Sequence, residues 1–406
     1  MFQRTLQLGR VLGIRIQLDW SLIVIFLLVV VNLGAGVFPA WHPDWSTPLI
    51  WGVAIAAAVV FFLSILIHEL SHALVAKAYR IPVESITLFL FGGLAAIEED
   101  PDSPKKEALM AGIGPVTSIA LGVIFILLAS AFVNVPPGAE QDPTLAFQQM
   151  GPLTTLLSWA GPINVLVGLF NLLPGFPLDG GRVLRAALWG ITGDVERATR
   201  WAARTGQGFA FLLIACGVAM AFGIQVPVFG TGLIGGLWLV FIGWFLNSAA
   251  VMSYQRLQLR RSLEGVPIAQ LMRRHLPPAV SADTSIGALV SDYVMSTGEP
   301  LFPVLDRGEL MGIVRSRDVR RVPRQAWSQE RVSSITTPLD RVKTLRPQDE
   351  ALRALQALGP ANEILVLDRD ELVGIVSQRE VLRWLDLQSN TDARDGGQRR
   401  LVQSGR

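Results

Sequence analysis

The chain has 406 residues, 51% hydrophobic and only 17% charged, with a mean hydropathy of +0.43. A soluble chain carries about a quarter charged residues, so much of this one is expected inside a membrane. A net charge of +2 is too balanced for a nucleic-acid partner, and the single cysteine, Cys216, excludes an intrachain disulfide framework or a zinc site built on cysteine.

A spanning helix needs about 20 mostly apolar residues. Six stretches qualify, at 18–38, 50–76, 109–133, 153–174, 206–223 and 229–252. The apolar core of the first is long for a cleaved signal peptide. Lys and Arg fall in alternate connections: Arg4, Arg10 and Arg15 before the first span, Lys77, Arg80, Lys105 and Lys106 after the second, Arg182, Arg185, Arg197, Arg200 and Arg204 after the fourth, and Arg256, Arg260 and Arg261 after the sixth. Loops 39–49, 134–152 and 224–228 have none. The bias predicts both termini in the cytoplasm. The expectation is a multi-pass protein of a bacterial inner membrane.

The second span holds His68-Glu69-Leu70-Ser71-His72, an HExxH pattern. On a helix, residues four apart share a face about 6 Å apart, so both imidazoles can reach one zinc ion. Glu69 projects about 100° away, where it can take a proton from a water that zinc has acidified to a pKa of about 7. The bland alternatives are a chance match and a salt bridge from Glu69 to an arginine. An unpaired carboxylate in hydrocarbon is costly, and no Lys or Arg lies in the six apolar stretches. Nine residues separate His68 from Lys77, about 13 Å of helix, which places the pair nearer the cytoplasmic side.

A catalytic zinc needs a third protein ligand. Asp179, in "NLLPGFPLDGGRVL" at 171–184, follows a span of matching direction, and Pro174, Gly175 and Pro177 break the helix before it. Asp179 is equally suited to be the N-cap of a helix over 181–190; spacing alone favours neither. "HELSH" with "NLLPGFPLDGG", "GPINVLVGLFN" at 161–171 and "FGGLA" at 91–95 resembles the site-2 protease family of intramembrane zinc metalloproteases. The resemblance covers most of 1–252. It implies one Zn2+ per chain on His68, His72 and Asp179, with Glu69 as catalytic base and transmembrane proteins as substrates. Asn164 and Asn171, one heptad apart, read either as interhelical hydrogen-bonders or as substrate contacts, and the resemblance favours the second role.

A peptide bond in a helix is shielded by its own hydrogen bonds, so a substrate must unwind. Residues 83–97, "VESITLFLFGGLAAI", are short for a span and β-rich around Gly92 and Gly93. They are expected to form a re-entrant hairpin whose free edge accepts an extended substrate strand; the alternative is an interfacial loop.

After residue 253 the composition becomes that of a soluble protein. "PVLDRGELMGIV" at 303–314 and "LVLDRDELVGIV" at 365–376 agree at nine of twelve positions, an internal repeat. The pair resembles tandem CBS domains over 264–388, with repeats at about 264–325 and 330–388, and such pairs commonly bind adenosine nucleotides and dimerise. The family's ribose pattern places Ser or Thr three residues before Asp. Here Asp318 follows Arg315, and Ser377 precedes Glu380, so neither copy is intact. Adenine-nucleotide binding and a structural, dimerising role both remain open. Residues 389–406 read as a disordered tail, after a membrane domain over 1–255.

The expected fold is a membrane α-helical bundle of six spans with a β-hairpin, joined to a soluble α/β CBS pair. The expected activity is intramembrane proteolysis. A CBS-bearing channel or transporter needs polar residues along a whole path, whereas here the ionisable groups cluster at one depth. A non-cleaving pseudoprotease conflicts with the intact ligand and base set.

Overall fold

The computed structural model describes residues 5–90, 92–97, 101–133, 144–227, 229–358, 363–369 and 371–387. The stretch read as a tail lies outside them, as does Phe91. The chain forms two compact units, Met1–Gln255 and Arg256–Arg406.

The first unit opens with a feature absent from the sequence reading. β1 (Thr5–Val11) and β2 (Ile14–Asp19) form an antiparallel hairpin. Leu12 and Gly13 turn it with φ of 51° and 82°, the paired positive values that suit the twist of a two-residue hairpin. Asp19 Oδ1 then accepts from Ser21 N at 2.9 Å, where the first helix begins, and the Ser21 hydrogen bonds hold the Asp19 carboxyl below its ordinary range.

α1 (Ser21–Asn32) passes through a π-helical turn, Leu33–Val37, into α2 (Phe38–Trp41). Gly34, in that turn, lies against Trp51; a Cβ there would sit 2.7 Å from the ring. Trp51 belongs to α3 (Thr47–Ala78), the long helix carrying HExxH. β3 (Val83–Phe89) and β4 (Gly92–Ile97) follow as the expected hairpin. β2 pairs in parallel with β3, from Arg15 opposite Ser85 to Leu18 opposite Leu88, so the sheet order is β1-β2-β3-β4 and β4 is an edge.

The remaining helices are α4 (Pro104–Ser130), α5 (Thr144–Gln148), α6 (Pro152–Asn171), α7 (Asp179–Thr192), α8 (Val195–Ala221) and α9 (Leu233–Leu263). α4 and α6 approach closely through small residues: a Cβ on Gly122 would lie 2.7 Å from Gly161 O, and one on Gly168 would lie 2.8 Å from Pro115 O. Such contacts let helices associate where lipid supplies no hydrophobic drive.

Among the described residues six helices are long and apolar enough to cross a membrane: Ser21–Trp41, Thr47–Ala78, Pro104–Ser130, Pro152–Asn171, Val195–Ala221 and Leu233–Leu263. Their number and order agree with the sequence reading; their ends do not. α8 starts at Val195 rather than near 206, and α9 runs on to Leu263. Hydropathy measures only the apolar part of a helix, while backbone hydrogen bonding continues through its polar turns.

In the second unit the two copies share a parallel strand followed by a hairpin, and the first copy adds one more strand. β5 (Val280–Ser281) runs parallel to β6 (Leu301–Asp306), which forms a hairpin with β7 (Glu309–Arg315), and β8 (Thr337–Pro338) joins β7. β9 (Thr344–Leu345) runs parallel to β10 (Glu363–Asp368), which pairs with β11 (Glu371–Ser377). The packing crosses the repeat boundary. Val332 and Ile335 complete the core around Phe302 and Val304, whereas Leu263, Ile268 and Leu271 pack with Ile364, Val366 and Val376. Ile268 N donates to Asp349 O at 2.8 Å.

Candidate metal centre

α3 sets His68 and His72 one turn apart, each 5% exposed. Their Nε2 atoms are 3.2 Å apart, and Asp179 Oδ2 lies 3.1 Å from both. Asp179 occupies the first residue of α7, after Leu178 at the N-cap position, which makes no side-chain cap. Its carboxylate therefore turns to the histidines, not to its own helix. Zinc bonds of about 2.0–2.1 Å in a tetrahedron separate ligand atoms by about 3.3–3.4 Å. The observed triangle of two nitrogens and one carboxylate oxygen fits that donor set closely. Among the described residues it is the one group of three or more His, Cys, Asp or Glu able to hold a metal.

α4 orients the imidazoles. His72 Nδ1 donates to Met110 O at 2.5 Å. A carbonyl can only accept, so His72 carries its proton on Nδ1 and offers the Nε2 lone pair inward. His68 Nδ1 pairs with buried Ser118 Oγ at 2.8 Å. Between them Gly114 leaves the space open: a Cβ there would lie 2.1 Å from His72 Nε2 and 2.6 Å from His68 Nε2. Glu69 points to the other side, against β4, where a Cβ on Gly93 would lie 2.1 Å from Glu69 Cγ. The hairpin edge and the carboxylate are thus in contact.

The approach to Asp179 is built from close backbone packing. A Cβ on Gly180 would lie 2.2 Å from Leu172 O, and one on Gly181 would lie 2.3 Å from Gly175 C. The "PLDGG" glycines let the loop lie on the first turn of α7. Phe176 N donates to Ala202 O at 3.1 Å, tying the loop to α8. α7 is fastened to α4 by Glu107, 1% exposed, and Arg185, which form a buried ion pair with Arg185 Nε donating at 2.5 Å. Arg185 also stacks over Phe176, 5.6 Å from its centroid.

The other expected site residues fare differently. Asn164 Nδ2 donates to Ala160 O at 2.8 Å and Asn171 Nδ2 to Val167 O at 3.0 Å, each within α6. Both lie on the helix face of Gly161 and Gly168 that meets α4. Gly92, with φ of 129°, opens β4. His42 belongs to a separate cluster: it stacks on Trp45 at 3.8 Å and hydrogen-bonds Thr155 Oγ1 at 2.7 Å.

In the soluble unit Arg315 N donates to Asp318 Oδ2 at 3.2 Å, while Ser377 N and Oγ donate to Glu380 Oε2 at 2.8 and 2.5 Å. The two carboxylates occupy equivalent positions and fold back on equivalent strand ends. Nearby, burial pushes the Glu363 carboxyl up, against the pull of Arg315, Arg273 and Arg317.

Comparison with known proteins identifies the family. Peptidase family M50 matches residues 56–215, and the CBS domain matches residues 332–387. Rip3 of Mycobacterium tuberculosis, named provisionally as a zinc metalloprotease, is 36% identical over 94% of this chain and 92% of its own length. The zinc metalloprotease MJ0392 of Methanocaldococcus jannaschii is 23% identical over 94% of this chain and 96% of its own. The solved site-2 protease from Methanocaldococcus jannaschii is 25% identical, covering 62% of this chain and 95% of that one, with a TM-score of 0.40. The family match runs from α3, with both histidines, through Asp179 and into α8, and the Rip3 likeness extends over nearly the whole chain: it belongs to peptidase family M50, the site-2 proteases, and carries a CBS domain in its soluble unit.

Proposed function

We propose that this protein is an intramembrane zinc metalloendopeptidase that hydrolyses peptide bonds within or near transmembrane segments of other membrane proteins. The observation that carries the reading is the convergence of His68 Nε2, His72 Nε2 and Asp179 Oδ2 within 3.2 Å of one another, with Glu69 on the adjoining face.

His68, His72 and Asp179 would hold the zinc. When bound, zinc supplies a Lewis acid that polarises the scissile carbonyl and acidifies water. Glu69 takes a proton from the attacking water as its oxygen bonds to the carbonyl carbon. The same carboxyl then passes that proton to the amide nitrogen as the C–N bond breaks. Met110 O and Ser118 hold the imidazoles with Nε2 inward. The edge of β4 offers backbone groups to an unwound substrate beside Glu69, with Gly92 and Gly93 keeping that edge free of side chains. Asn164 and Asn171 are assigned to substrate contact through their amide oxygens.

The arginine-bearing connections support cytoplasmic termini, and the soluble pair is read as a regulatory module that binds adenine nucleotide and pairs two chains. Replacing Glu69→Gln tests the central claim. Zinc content and fold should be kept, while cleavage of a membrane-embedded reporter falls by about 10²–10⁴. Undiminished turnover would remove Glu69 from the reaction.

A further inference from the structure

α8 and α9 flank an open cleft of about 380 Å³ lined by Arg200, Ala203, Arg204, Gln207, Val251 and Tyr254. It plays no part in the metal centre. On α8, Arg197, Arg200 and Arg204 recur at helical spacing, and the helix becomes apolar from Phe209 onward. On α9 the apolar run ends at Met252, before Ser253 and Tyr254. The cleft therefore lies where both helices pass from a polar to an apolar surface, the level of lipid headgroups.

Its charge is positive and part of it is uncommitted. Arg200 Nε donates to Tyr254 Oη at 3.2 Å and Nη2 to Glu196 Oε1 at 2.7 Å, and its side chain is 43% exposed. Arg204 lies over the Trp201 ring at 5.9 Å. Among the described residues Arg204 has no carboxylate at ion-pair distance, whereas Arg200 pairs with Glu196. Trp201 is 59% exposed, as suits an aromatic at the membrane interface. Phe211, two turns beyond Arg204 on the same face, is 60% exposed toward the apolar end.

We propose that this cleft binds the phosphate headgroup of an anionic phospholipid. Arg200 and Arg204 hold the phosphate, Gln207 and Tyr254 offer polar contacts to the glycerol portion, and an acyl chain lies along Phe211. Arginine suits a phosphate because its fork donates two hydrogen bonds at once. A soluble phosphate would satisfy the charges but would leave the apolar flank unused, which favours the lipid. Basic pockets between membrane helices recognise anionic headgroups in this way.

The test uses the full chain in nanodiscs of phosphatidylcholine mixed with phosphatidylglycerol, with retained lipid counted by native mass spectrometry. The wild type should retain phosphatidylglycerol preferentially. Arg204→Gln should lower that preference roughly fivefold, a single surface cation being worth that much, and Arg200→Gln with Arg204→Gln should remove it. Arg204→Lys, which keeps the charge, should retain most of it. Zinc content should not change in any variant, a check on folding that does not involve lipid. Equal retention by the double glutamine variant, or no preference in the wild type, would overturn the proposal. Displacement of the lipid by millimolar glycerol phosphate would also overturn it, by reassigning the cleft to a soluble phosphate.

Discussion

His68 and His72 meet because a helix repeats every 3.6 residues, but Asp179 reaches them across 107 residues of chain. Its position at the first turn of α7 was compatible with a cap, and the structure sends the carboxylate elsewhere. Asp179→Ala should therefore lower bound zinc well below one per chain, as measured by metal analysis of the purified protein; unchanged zinc would return Asp179 to a structural role. Gly114→Val should lower zinc as well, because the new side chain enters the space between the two Nε2 atoms. Circular dichroism should show α4 intact. The sequence offers one signal for Gly114: a glycine inside a helix costs about 1 kcal/mol relative to alanine and needs a packing reason. Ser118 and Met110 carry no such signal, since what matters is which atoms they turn toward the imidazoles.

At the scale of elements, α7 is the part that must be held for Asp179 to stay beside the two histidines. The Glu107–Arg185 pair does this from α4, and the Phe176–Ala202 hydrogen bond does it from α8. Removing one partner of a buried ion pair costs about 3–5 kcal/mol, because the other charge is left unpaired. Glu107→Ala should accordingly lower the melting temperature and weaken zinc retention, and Glu107→Leu with Arg185→Met should restore part of the loss. The repeat copies are a second case. Both fold as a parallel strand and a hairpin, as the matching "LDR" turns suggest, with Arg307 and Arg369 at φ of 49°. Asp318 and Glu380 fold back on equivalent strand ends. Millimolar ATP or AMP should raise the melting temperature of the protein, with the rise lost in Glu380→Ala; no rise would leave the pair structural. The β1–β2 hairpin is absent from the sequence reading even though β2 carries a local strand signal, Ile14, Ile16 and Leu18 alternating with Arg15, Gln17 and Asp19; β1 lacks so regular a pattern. β2 becomes part of a sheet through parallel pairing with β3, a contact invisible to local pattern.

For the whole molecule, six spans with basic alternate loops make a topology that labelling can check. In a Cys216→Ser background, Asp44→Cys should react with an impermeant thiol reagent from outside intact cells, and Lys105→Cys only after the membrane is opened. The reverse pattern would invert the orientation. Several features needed no coordinates. Span count and order follow from apolar length, which the bilayer thickness sets. The HExxH pair follows from helix period, and the repeated module from identity at a fixed offset. All of these are encoded within short windows. The approach of Asp179 to the two histidines, the orienting groups on α4, the glycine clearances, the β2–β3 pairing and the packing of core segments across the repeat boundary each join residues distant in sequence. Their partners are selected by packing and backbone hydrogen bonding across elements, which no local window contains, so only the tertiary structure decided them.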